Sequence, residues 1–100
     1  MRNRRGYQQR FAGYPSSILD IPRGHGLAPC EKPVTLMEYL IRTYTRPGEV
    51  VLDTCMGLGS TGVAAIRAGR RFIGVELDRS RFAMARSRVL AAAQVARRAA

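Results

Sequence analysis

The chain has 100 residues, enough for one small domain, and a formal net charge of +10, carried by one lysine and sixteen arginines against seven acids. A hydrophobic share of 46% excludes an intrinsically disordered protein, and no apolar run approaches the ~20 residues that a membrane-spanning helix needs. The basic excess points to a polyanionic partner, either nucleic acid or an anionic membrane face, because arginine's forked donors suit phosphate. Cys30 and Cys55 are too few for a disulfide framework and have no zinc-ligand spacing, so they read as reduced, and buried or pocket-lining, in a cytoplasmic protein without a metal. The opening segment lacks the apolar centre of a secretory signal.

In chain order, residues 1–13 are polar and arginine-rich and read as a basic flexible segment. "SSILDIP" then predicts a short strand stopped by Pro22. Residues 23–33 have loop composition, and His25, between two glycines, is assigned no role. Pro33 suits the first turn of a helix whose apolar face is Leu36, Met37, Leu40, Ile41 and Tyr44. "TRPGE" ends it with a Pro-Gly turn, and Val50, Val51 and Leu52 predict a strand of the kind buried on both faces of a parallel sheet. A glycine-rich loop leads into a helix from Ser60 that closes near Gly69. "RRFIGVELD" predicts a second buried strand, and the stretch from Ser80 to Ala100 a long helix with Phe82, Ala85, Val89 and Ala93 on its apolar face. The expected fold is α/β: a helix, one βαβ unit and a long helix around an incomplete sheet.

The loop holds "GLGSTG", which matches the G-x-G-x-x-G pattern of dinucleotide sites. Such a loop, at the carboxyl end of a strand and the start of a helix, lets a ligand lie close to the main chain. Two features oppose a dinucleotide. Asp53, Thr54, Cys55 and Met56 separate Leu52 from Gly57, which lengthens the loop. Asp53 also places a carboxylate where a pyrophosphate would be repelled and an ammonium group attracted. A ligand with an adenosine end and a cationic amino-acid end fits, as in S-adenosylmethionine. Glu76, closing the second strand, would accept hydrogen bonds from the ribose hydroxyls, while Asp78 would either assist it or, the preferred role, cap the helix that follows.

These residues resemble a known family. "APCEKP", "DTCMGLGST" and "FIGVELD" appear in the order and with the separations of the carboxyl-terminal part of the N-4/N-6 DNA methylases. The first corresponds to H-P-T-Q-K-P, with Pro29, Lys32 and Pro33 matching. The second corresponds to D-P-F-x-G-S-G-T-T, with Asp53, Gly57, Gly59 and Thr61 matching, Ser60 conservatively changed, and Cys55 and Leu58 standing for phenylalanine and serine.

The resemblance implies a partial Rossmann-like methyltransferase fold, with residues 14–100 as an S-adenosylmethionine-binding portion. It implies transfer of a methyl group to adenine N6 or cytosine N4 of DNA. It also implies a cofactor site of Lys32, Asp53, Cys55, Met56, Gly57, Gly59, Ser60, Thr61 and Glu76. Asp53 would engage the donor's amino group directly or through water. Lys32 would either approach its carboxylate or stay solvated. The family's catalytic Pro-Pro-aromatic loop has no counterpart, since no Pro-Pro pair occurs, so no residue is assigned the chemical step. The chain thus looks like the final third of such an enzyme. It is expected to be inactive alone, and to be a marginal monomer, to need a complementary polypeptide or to self-associate, since two strands leave sheet edges and apolar faces open. DNA is the expected partner, contacted by the arginine-rich start unless that is a plain exposed tail. The competing readings are a basic DNA-binding or accessory module that keeps the fold without the activity, and a fragment of an NAD-dependent oxidoreductase.

Overall fold

The computed structural model describes residues 32–99. The basic segment 1–13, the strand expected at Ser16–Pro22, the loop around His25, Pro29 and Cys30, and Ala100 lie outside the described residues. The elements are α1 (Val34–Tyr44), β1 (Val50–Asp53), α2 (Ser60–Arg67), β2 (Arg71–Gly74) and α3 (Arg79–Ala99).

Each boundary has a local cause. Pro33 is the N-cap of α1, one place before the first helical residue, and its carbonyl accepts from the amides of Leu36 and Met37 at 3.1 and 3.2 Å. Thr45 ends the helix: its amide and its hydroxyl both donate to the Ile41 carbonyl, at 3.0 and 2.6 Å. A tight turn follows, with Pro47 second, Gly48 third at φ +85°, and the Glu49 amide bonded to the Arg46 carbonyl at 3.2 Å. Only glycine takes that third position without strain. The far end of α2 closes on Gly69 at φ +78°. There the Arg70 amide donates to Ala65 O (2.8 Å) and the Gly69 amide to Ile66 O (3.0 Å), the paired bonds of a Schellman motif.

β1 and β2 are parallel neighbours in the register Val50↔Arg71 to Asp53↔Gly74. Parallel strands need a crossover, and α2 supplies it, packing on both strands and against α1 and α3. Small residues permit this. Ala64, Ala65 and Ala68 form the core with Ile41, and Val34, Met37, Val51 and Phe72 pack around them. Gly62 sits where β2 and α3 converge; a Cβ there would fall 2.6 Å from the Phe72 ring and 2.7 Å from Val89 Cγ2. The buried Arg70 side chain ties the end of α1 to the α2–β2 turn, donating to Thr45 Oγ1 (2.8 Å), Thr45 O (2.7 Å) and Ala68 O (2.6 Å).

The structure corrects two expectations and narrows a third. The strands are not covered on both faces among the described residues. Val51 and Phe72 face the helices, while Val50, Leu52, Ile73 and Val75 remain 44%, 61%, 55% and 51% exposed. The alternation of half-buried and exposed positions shows one open face, because α2 packs on the strands and α1 and α3 both pack against α2. Tyr44, the last residue of α1, is exposed rather than part of its packed face. Cys55 is free and exposed, which sets aside burial and leaves the pocket-lining placement of the two expected for it. No described helix is long and apolar enough to cross a membrane.

Candidate ligand-binding site at the strand ends

The carboxyl ends of β1 and β2 carry the two acids and the glycine loop. The ladder continues past the formal strands: the Val75 amide donates to Asp53 O and the Met56 amide to Val75 O, both at 2.9 Å. These bonds fix the loop's base against the end of β2. Asp53, half-buried, accepts from the Cys55 amide at 3.0 Å through Oδ1, which curls the chain after β1.

The loop then makes a tight turn closed by the Gly59 amide on Met56 O at 2.9 Å. Gly57 and Gly59 take φ of +55° and +81°, values that L side chains rarely adopt. Their bare Cα atoms face different surroundings. A Cβ at Gly57 would meet nothing within 4 Å, so that side is open to a ligand. A Cβ at Gly59 would lie 3.1 Å from Ala85 Cα and Cβ, so there it is α3 that approaches closely. Met56 is buried and borders Gly74; Ser60 is buried at the start of α2, and Thr61 beside it is half-buried. Lys32 is exposed ahead of α1.

Glu76 is held from two sides. Its Oε1 accepts from the Gly57 amide at 3.0 Å, and its Oε2 from the Asp78 amide at 2.8 Å. A carboxylate offers about four acceptor positions, so the two backbone bonds fix its orientation and leave acceptor capacity for the hydroxyls of a diol. That capacity, the open side of Gly57 and the neighbouring Asp53 suit a ribose and an ammonium group, and so fit the nucleoside methyl donor expected from the sequence.

Asp78 is the N-cap of α3. Its Oδ2 accepts from the Arg81 amide and the Ser80 hydroxyl, both at 2.8 Å, while its carbonyl accepts from the Phe82 amide at 2.8 Å. Those donors, the Arg81 amide above all, hold its carboxyl below the ordinary 3.8. Sequence reasoning identified this cap from position alone. It missed the Gly57–Glu76 bond, which joins residues 19 apart in the chain, and it missed Arg88, whose Nη1 donates to Leu58 O at 2.7 Å. Neither leaves a periodic trace in the sequence. Among the described residues no group of three potential metal ligands occurs.

A parallel strand pair, a crossover helix starting at a glycine turn and a preset carboxylate just past the end of the second strand define a partial Rossmann-like methyltransferase fold. The chain belongs to the N6/N4 DNA methylase family, whose profile, described as DNA methylase, matches residues 3–87. It is 42% identical over 84 residues to the type II methyltransferase M2.DpnII of Streptococcus pneumoniae, covering 84% of this chain and 31% of that protein. The DNA adenine methyltransferase YhdJ of Escherichia coli is 37% identical over 70 residues, covering 64% and 24% respectively. The crystal structure of the M1.HpyAVI–SAM complex superposes with a TM-score of 0.63 at 39% identity, over 72% of this chain and 36% of that one. The chain thus spans between about a fifth and a third of the curated relatives it matches.

Proposed function

We propose that the chain is the S-adenosylmethionine-binding part of a DNA amino-methyltransferase acting on adenine N6 or cytosine N4, without the catalytic Pro-Pro-aromatic loop. The carrying observation is Glu76, fixed at the end of β2 by the amides of Gly57 and Asp78 while the opposite side of Gly57 stays open. The similarity to a structure solved as a SAM complex supports the same ligand.

When bound, S-adenosylmethionine supplies an electrophilic methyl group on its sulfonium. The residues of this chain hold and orient. Glu76 accepts from the ribose hydroxyls through the acceptor capacity its backbone bonds leave unused. Gly57 admits the ligand to the main chain. Asp53 engages the donor's ammonium group directly or through water, and Lys32 either approaches its carboxylate or stays solvated. Cys55, Met56, Gly59, Ser60 and Thr61 complete the loop: Met56 and Gly59 by packing beneath it, the other three by bordering the ligand. No residue is assigned the proton transfer on the target base, and the chain alone is expected to bind without turning over.

Calorimetric titration of S-adenosylmethionine into the chain tests this. Asp53→Ala and Glu76→Ala are each expected to weaken binding by about 1.5–3 kcal/mol, the worth of hydrogen bonds to a charged group. Equal affinities for all three proteins remove the site.

The charge of +10 favours a second reading, a basic accessory module that binds DNA and keeps the fold without the activity. DNA is the proposed partner in both readings. Salt-dependent DNA binding by a chain with no response to S-adenosylmethionine selects the second.

A further inference from the structure

We infer that Arg88 is a positioning residue for the nucleoside-binding loop, acting through α3 from behind the site. This rests on the proposed S-adenosylmethionine site and adds to it a residue that touches neither acid. Leu58 lies between the two left-handed glycines, and it is 8% exposed. Its carbonyl takes no part in the bond that closes the turn, which runs from the Gly59 amide to Met56 O. A carbonyl so placed needs a partner, because water cannot replace one at a buried position without cost. Arg88 Nη1 supplies it at 2.7 Å, from a residue 30 positions away and itself half-buried. The bond is charge-assisted and short, of the stronger class.

The same helix holds the rest of the site. Asp78, at its N-cap, donates its amide to Glu76 Oε2 at 2.8 Å. Ala85, wholly buried, fills the space that a side chain at Gly59 would need. Asp78, Ala85 and Arg88 are spaced by seven and three residues, which places them along one side of a helix. α3 therefore fixes the acid at the end of β2 and the loop at the end of β1 with one rigid element. Arg88 is the contact that sets how the Gly57–Gly59 turn sits against that element. Without it, the turn keeps its glycines but loses the anchor that orients Gly57, and through the Gly57 amide it loses half of the support of Glu76.

The test uses the full chain and four proteins: wild type, Arg88→Met, Arg88→Lys and Arg86→Met. Arg86 is exposed on the same helix and serves as the control. S-adenosylmethionine affinity is read by calorimetry, amide exchange of Gly57 and Gly59 by NMR, and stability by thermal melting. Arg88→Met keeps the apolar stem, and it is expected to weaken binding about tenfold and to speed exchange at both glycine amides. Arg88→Lys, which can still donate to a carbonyl, restores part of both, and Arg86→Met matches wild type. Wild-type affinity and exchange in Arg88→Met overturn the assignment, even if its melting point falls, since that is the mark of a purely structural side chain. Should Arg88→Met fail to fold, Arg88→Lys decides: intermediate affinity and exchange support the assignment, and wild-type values overturn it. If wild type binds no S-adenosylmethionine, the proposed function fails separately, and the exchange rates still decide whether Arg88 orders the loop.

Discussion

Asp78 shows how one residue can serve two ends. Its side chain caps α3, and its amide holds Glu76, so the carboxylate proposed to take the ribose is oriented by the start of the next helix. The cap depends on charge. Because its donors lower the folded value below 3.8, the charged cap contributes fully at neutral pH and above the unfolded value. It is lost as pH falls through the folded value, below 3.8. Helicity followed by circular dichroism should therefore drop more steeply on acidification in wild type than in Asp78→Asn, which keeps a neutral capping oxygen. Identical acid profiles would show that the cap's charge contributes nothing. Glu76 and Gly57 illustrate the opposite limit, since their mutual bond was invisible in the sequence although each residue stood out by itself.

At the scale of elements, α2 decides the architecture because it is small. Its alanines let α1 come close, and Gly62 lets β2 and α3 approach from two directions at once. Gly62→Ala would place a methyl group less than 3 Å from both Phe72 and Val89. Overpacking of this kind typically costs about 1–3 kcal/mol, more than alanine's better helix propensity returns. A lower denaturation midpoint with little change in slope is the expected result. An unchanged midpoint would mean that Phe72 and Val89 can shift freely. The helix ends were readable in advance, because Pro-Gly before β1 and Gly69 after α2 act through local backbone conformation. Tyr44 was not, as its periodicity fits a helix face that the other described residues leave exposed at that end.

At the scale of the whole molecule, the open side of the sheet stands out. Parallel sheets occur almost only with both faces covered, yet among the described residues Val50, Leu52, Ile73 and Val75 lie open, and Leu77, shortly after β2, is 99% exposed. We propose that a second copy of the chain covers this exposed apolar face. Sedimentation of wild type should then depend on concentration, and the double variant Leu52→Asp, Ile73→Asp should sediment as a monomer. A wild type that stays monomeric at all concentrations and melts sharply would count against any such covering by self-association.

The sequence by itself determined the order of elements, the strand pair, the helix boundaries set by glycine and proline, and the candidate acids and glycines. These depend on backbone conformation, on hydrophobic periodicity and on short motifs, all of which act over a few neighbouring residues. Only the tertiary structure decided that Gly57 is open while Gly59 is filled by Ala85, that Glu76 is braced by two amides, and that Arg88 reaches Leu58. Apart from the local Asp78–Glu76 bond, those contacts join residues between 19 and 30 positions apart. Their existence depends on how closely α3 and β2 approach the loop, which is set by packing across the whole fold.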